Sequence, residues 1–265
     1  MVINTEISNV YVHMCVFSSS EAMKYTKEFI SHFSHPQHKL KFEYTETPFK
    51  CDGCKEAGIG SKYTCKICDY DLHMHCAIPT SPSIFHPFYR KCSFEFLARP
   101  PGTKARYCNA CRKDVTGFVY HCHSCGYDLH PCCAKLPTML DDGEMKLFLY
   151  RKVRSTCHKC GRKGRRSWSY RSECKKYNLH VACVKEMLVE TWHEIYFGGR
   201  LNSYGLRNGI PSLKGTLMQN QHRRSKTKVR KCCEIGALAL QFVISAVLGD
   251  PTTLIVGVVG SLMSK

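Results

Sequence analysis

The chain has 265 residues, among them 19 cysteines and 14 histidines, with 39 Lys+Arg against 21 Asp+Glu. Cysteine at that density marks a fold held by cross-links or metal and argues against an ordinary single-core enzyme. The formal charge of +18 suits an anionic partner, nucleic acid or membrane.

The first twenty residues carry no Lys or Arg ahead of the mildly apolar run Val10–Phe17. A secretory leader is therefore not expected, and a reducing, intracellular setting is. Residues 1–31 read as a disordered extension in which His13 and Cys15 are idle.

From there the chain repeats itself. Five C-x-x-C pairs account for ten of the cysteines. The first copy of the unit runs Cys51-x-x-Cys54, ten residues, Cys65-x-x-Cys68, four residues, His73-x-x-Cys76. The second repeats every gap with Cys108, Cys111, Cys122, Cys125, His130 and Cys133. A third keeps Cys157, Cys160, His180 and Cys183 and loses the middle pair, with Ser172 and Lys175 in its place and Cys174 one position out of frame. Each copy enters its histidine through the same string, Tyr70-Asp-Leu-His73, Tyr127-Asp-Leu-His130 and Tyr177-Asn-Leu-His180. Upstream, Cys92 aligns with His38; downstream, His86 and His193 each follow a unit after nine residues. A complete unit thus has eight candidate ligands, enough for two tetrahedral zinc sites. The runs between the pairs read as short strands joined by zinc knuckles, too small to bury a core without metal.

This order of ligands resembles the diacylglycerol/phorbol-ester-type zinc finger, in the divergent cysteine/histidine-rich form common in plants (the divergent C-one domain). The resemblance covers about 32–197. It implies interleaved sites, the first C-x-x-C pairing with the H-x-x-C and the outer ligands with the middle C-x-x-C. The inner sites so implied are Cys51, Cys54, His73 and Cys76; Cys108, Cys111, His130 and Cys133; and Cys157, Cys160, His180 and Cys183. The first outer site is His38, Cys65, Cys68 and His86. The second has Cys92, Cys122 and Cys125 without an evident fourth ligand; Asp141, Asp142, a water or His32 are the candidates. The third outer site is lost. Four zinc ions are expected, the Cys92/Cys122/Cys125 site being the doubtful one. His75 and Cys132 read as spare neighbours, His121 and His123 as surface residues.

Rival readings are weaker. A disulfide network has no use for paired H-x-x-C elements, and a redox C-x-x-C enzyme needs a βαβ context that is missing. A RING or plant-homeodomain cross-brace starting at Cys51 would claim Cys108 and Cys111, which the second copy already uses. Closed four-ligand sites are structural, and no catalytic string such as H-E-x-x-H or G-x-S-x-G occurs, so no enzyme is expected. The family's diacylglycerol groove needs a longer loop than Lys55–Thr64 or Arg112–His121, and diacylglycerol is not an expected ligand. The resemblance implies a protein-interaction or signalling module.

The positive charge is concentrated late in the chain. Segment 151–176 holds eleven Lys/Arg and one acid, and 198–231 holds nine and none. Around Trp168 and Tyr170, Arg162, Lys163, Arg165, Arg166 and Arg171 suggest salt-dependent RNA or DNA binding as the alternative function. The tail 232–265 is apolar on all sides, interrupted by Asp250-Pro251, and reads as helical. It follows a basic run that suits an anionic membrane, and packing on protein is the competing reading. The expected organisation is a small zinc-stabilised α+β protein of short hairpins and knuckles. It divides into an extension (1–31), three finger units (32–91, 92–142 and a degenerate 143–197), a basic linker (198–231) and the tail (232–265).

Overall fold

The computed structural model describes residues 27–141, 145–164, 166–198 and 247–248, without the side chains of Glu46 and 191–198. The fold is β-rich, with three four-stranded antiparallel meanders in succession. The first sheet contains β1 (Phe29–His32), β2 (His35–Lys50), β3 (Ala57–Cys65) and β4 (Tyr70–His73), followed by the one-turn helix α1 (Met74–Ala77). The second contains β5 (Ser83–Phe85), β6 (Ser93–Leu97), β7 (Val119–His121) and β8 (Asp128–Leu129), followed by α2 (Pro131–Ala134). The third contains β9 (Met139–Asp141), β10 (Lys146–Tyr150), β11 (Ser169–Ser172) and β12 (Asn178–His180), followed by α3 (Val181–Gly198).

The repeat in the sequence is a repeat of core positions. Leu40, Tyr63 and Leu72 in the first sheet have their counterparts in Phe94, Tyr120 and Leu129, then in Leu147, Tyr170 and Leu179, and all nine are buried. The leucine of each Tyr-Asp/Asn-Leu-His string faces the core tyrosine across the ladder, as Tyr63–Leu72, Tyr120–Leu129 and Tyr170–Leu179. Each tyrosine hydroxyl donates to a carbonyl of its own lead-in segment, Lys27 at 2.7 Å, Ser81 at 3.4 Å and Pro137 at 2.7 Å. A buried tyrosine thereby satisfies its polar end.

Each sheet begins earlier than the sequence suggests. β1 starts inside the expected extension 1–31, β5 lies upstream of Cys92, and β9 lies upstream of 143. The reason is the lead-in strand, which pairs with the ligand-bearing strand and carries no cysteine or histidine pattern of its own in β5 or β9. The 18-residue α3 was also not foreseen. Its buried Val181, Val184, Met187 and Leu188 form one stripe at helical spacing.

The sheets join by one repeated hydrogen bond. Phe118 N–H donates to the Gly53 carbonyl at 2.8 Å, and Trp168 N–H donates to the Ala110 carbonyl at 2.9 Å. Gly53 and Ala110 hold the same place in their C-x-x-C knuckles, and Phe118 and Trp168 the same place before their strands. Gly117 packs so close to Gly53 that a Cβ there would meet the carbonyl oxygen at 2.0 Å. No helix among the described residues is long and apolar enough to cross a membrane. The linker 198–231 and tail 232–265 lie outside the described residues, apart from Gly198 and the buried helical pair Val247–Leu248.

Candidate metal centres

In every knuckle the residue after the second cysteine adopts a left-handed backbone. These are Lys55 (φ 64), Asp69 (φ 51), Arg112 (φ 66), Gly126 (φ 66) and Gly161 (φ 68). That conformation folds the chain back so that both cysteine sulfurs face one point, and it costs a non-glycine residue strain that only a held knuckle repays. Amide bonds close the turns, Lys55 N to Cys51 O and Arg112 N to Cys108 O, both at 2.8 Å.

Among the described residues the ligand atoms converge in five clusters, each with all its ligand atoms within 4.8 Å of one another. Cys51, Cys54, His73 and Cys76 form the first, and Cys108, Cys111, His130 and Cys133 its counterpart in the second sheet. Both sets are wholly buried. Cys157, Cys160, His180 and Cys183 form a third, with Cys160 exposed. In each, histidine Nδ1 lies 3.3–3.4 Å from one sulfur and 3.8–4.0 Å from another. A zinc ion bonded tetrahedrally to sulfur and nitrogen sets that separation at about 3.6 Å. His73 Nε2 and His130 Nε2 bond the carbonyls of Ala57 and Asp114 at 3.2 and 2.9 Å, which fixes Nδ1 as the ligand atom.

In the first two inner sets the electrostatics favour a cation. Burial opposes charge on His130, yet hydrogen bonds from Cys108 and Cys111, with the charges of Cys108 and Cys132, raise its pKa to about 12. His73 is raised the same way by Cys51. Thiolates this buried draw positive charge to themselves, and a Zn²⁺ ion held here would supply it while relieving the repulsion between sulfurs. None of the described cysteines is in a disulfide.

The first outer site differs from the expected one. Cys65, Cys68 and His38 meet His35, and His86 is not in the cluster. His35 is buried, its ring stacks on Tyr70 at 4.7 Å, and its Nε2 has no hydrogen-bond partner, as suits a metal ligand. The signal for it was His35-Pro-Gln-His38, an H-x-x-H pair with the spacing of the C-x-x-C pairs. His86 instead accepts the Phe88 N–H at 3.1 Å, capping a 3₁₀ turn over Pro87–Tyr89. Its ring lies 4.5 Å from that of Trp168. Burial lowers its pKa to about 4. A histidine neutral and packed on tryptophan at the second–third sheet junction has no ring left to close a site in the first.

Cys92, Cys122 and Cys125 come together as a set of three, with Cys92 and Cys125 sulfurs 3.0 Å apart. None of the suggested fourth ligands joins them among the described residues. His32 lies by Phe118 with Nδ1 on the Ser34 hydroxyl at 2.6 Å, Asp141 pairs with Lys146, and Asp142 is outside the described residues. Among the described residues the ligand sets therefore number five, four complete and one of three. In the third sheet the outer site is replaced by a hydroxyl turn. Ser172 Oγ accepts Tyr177 N–H at 3.0 Å and sits 3.3 Å from Cys174 Sγ. The left-handed residue there is Lys175 (φ 60), one place earlier than in the knuckles, so the turn is too short to present two ligands.

Four other histidines and cysteines are placed by packing. His75 stacks on His73 at 4.8 Å, and burial holds its pKa down at about 3. His121 is buried, against the expectation of a surface residue, with Nδ1 2.8 Å from Asp128. His123 is exposed beside Glu95. Cys132 is not a ligand, and its sulfur accepts from Lys185 Nζ at 3.0 Å.

Residues 33–77 and 86–134 each match the C1 domain family. A 49-residue stretch is 37% identical to a protein named probable nucleoredoxin 1 from Arabidopsis thaliana, covering 18% of this chain and 8% of that protein. The chain thus spans less than a tenth of the curated relative it matches. No solved structure matches. The two matches lie in tandem on interleaved Cys/His clusters, consistent with a divergent tandem zinc finger of the C1 type over residues 33–134.

Proposed function

We propose that this chain is a zinc-stabilised interaction module, a signalling adaptor and not an enzyme, with three tandem C1-type units, the third reduced to its inner site. The observation that carries this reading is closure. Each inner set offers four protein ligands, nearly all buried, and a metal with four protein ligands has no position for water or substrate. Zinc at these sets would organise strands too short to hold themselves together, and would supply no reaction chemistry. Four complete sets correspond to four tightly held ions, with Cys92, Cys122 and Cys125 holding a fifth more weakly. Nothing is carried over from the redox name of the Arabidopsis protein, since the similarity is the length of one finger.

The test is affinity capture by the full chain in zinc buffer, with cross-linking and at raised salt. An adaptor retains one defined protein partner at high salt and loses it on chelation. Capture that survives chelation, or that collapses with salt, sinks the reading. The nucleic-acid alternative loses its stacking half, because Trp168 and Tyr170 are fully buried and offer no face to a base. Its electrostatic half remains as charge alone.

A further inference from the structure

The third sheet has lost the counter-charges that the first two keep. Lys62 pairs with Asp71 at 2.6 Å in the first, and Arg106 with Asp128 at 2.6 Å in the second. The position of Asp71 and Asp128 in the third is Asn178, whose side-chain amide bonds the Ser155 carbonyl at 3.1 Å. Lys152, Arg154 and Lys163, which carry no hydrogen bond or ion pair among the described residues, line a cavity of about 350 Å³ together with Val153 and Gly164. No acid borders it. A Cβ on Gly164 would lie 3.0 Å from His180 Nε2, an atom that is buried and unpartnered, whereas its equivalents in His73 and His130 bond carbonyls.

Three cations brought to one concavity without an acid repel one another unless an anion joins them. The volume is at the small end of ligand sites, which run from about 300 Å³ upward. With Trp168 and Tyr170 buried there is no aromatic wall for a nucleobase. We propose that the cavity between Lys152–Arg154 and Lys163–Gly164 binds a compact phosphate group, borne by a soluble sugar phosphate or a lipid headgroup. The site lies outside the zinc clusters and does not depend on the adaptor reading.

The test uses the full zinc-loaded chain. Inositol trisphosphate is titrated calorimetrically, and phosphatidylcholine vesicles with and without phosphatidic acid are co-sedimented at about 0.15 M salt. K152Q/R154Q/K163Q is compared with K39Q/R99Q/K104Q, which removes the same charge from exposed positions in the first two units. Binding weakened about tenfold or more in the first variant and about twofold or less in the second supports the site. Response to the soluble phosphate identifies a free ligand, and response to vesicles alone a headgroup. Equal weakening in both variants, no binding of either probe, or retention on single-stranded RNA that the cavity variant leaves unchanged overturns it.

Discussion

Lys185 Nζ, on α3, donates to Glu56 Oε2 at 2.8 Å, joining positions 129 residues apart. Both side chains are buried, and the same ammonium lies 3.0 Å from Cys132 Sγ and 3.7 Å from Cys133 Sγ. Burial alone would lower the Lys185 pKa, but the neighbouring charges of Cys132, Cys133 and Glu56 hold it well above the ordinary lysine value. One cation from the helix that ends the third sheet thus neutralises the surroundings of an inner ligand set in the second and an acid in the first. An inner set of three thiolates and one histidine around Zn²⁺ carries a net negative charge, which makes this lysine part of the packing between sheets.

Lys185→Met should therefore destabilise the zinc-loaded chain by about 3–5 kcal/mol, because it strands Glu56 without its partner. K185M/E56Q should recover a good part of that loss. Urea titration with zinc present checks both, and additive losses in the double variant would show that the pair is not coupled.

His35→Ala should remove one tightly held zinc, since it opens the set with His38, Cys65 and Cys68. His86→Phe should leave the count unchanged, its ring being packed on Trp168. Native mass spectrometry of the two variants, prepared under reducing conditions, separates them.

A graded chelator titration should take the metal at Cys92, Cys122 and Cys125 first, because three protein ligands bind less tightly than four. Removal of the remaining zinc should abolish the tertiary near-ultraviolet signal. Cys92→Ser should lose the early step and keep the rest.

His86 gives a pH dependence of known sign. Its folded pKa of about 4 lies below the unfolded value of about 6.5. The unfolded chain binds the extra proton, so this contribution is fully present above pH ~6.5 and falls away as the pH drops toward about 4. His86→Phe should show a shallower loss of stability in that window than the parent chain, measured by denaturant titration at matched zinc.

How much of this was legible follows from what is local. The inner ligand sets lie within one repeat, at fixed spacing around a knuckle, and the structure brings together the residues that the resemblance grouped. The buried tyrosine and leucine columns recur with the same spacing, though only the ligands announce themselves by residue type. The lead-in strands β5 and β9 carry no such pattern, which is why each sheet starts earlier than the cysteines suggest.

What the sequence by itself determined is the unit, its candidate ligands and its repetition, because closely spaced ligand pairs fold locally around a knuckle; their interleaved pairing came from the resemblance. Only the tertiary structure decided between His35 and His86, buried Trp168 and Tyr170 that had looked like a stacking surface, and set Lys185 against Glu56. The places of His86, Trp168 and Lys185 depend on how one sheet meets the next, as through Gly53–Phe118 and Ala110–Trp168. Such contacts join residues far apart in the chain, and neither spacing nor composition records which of them will meet.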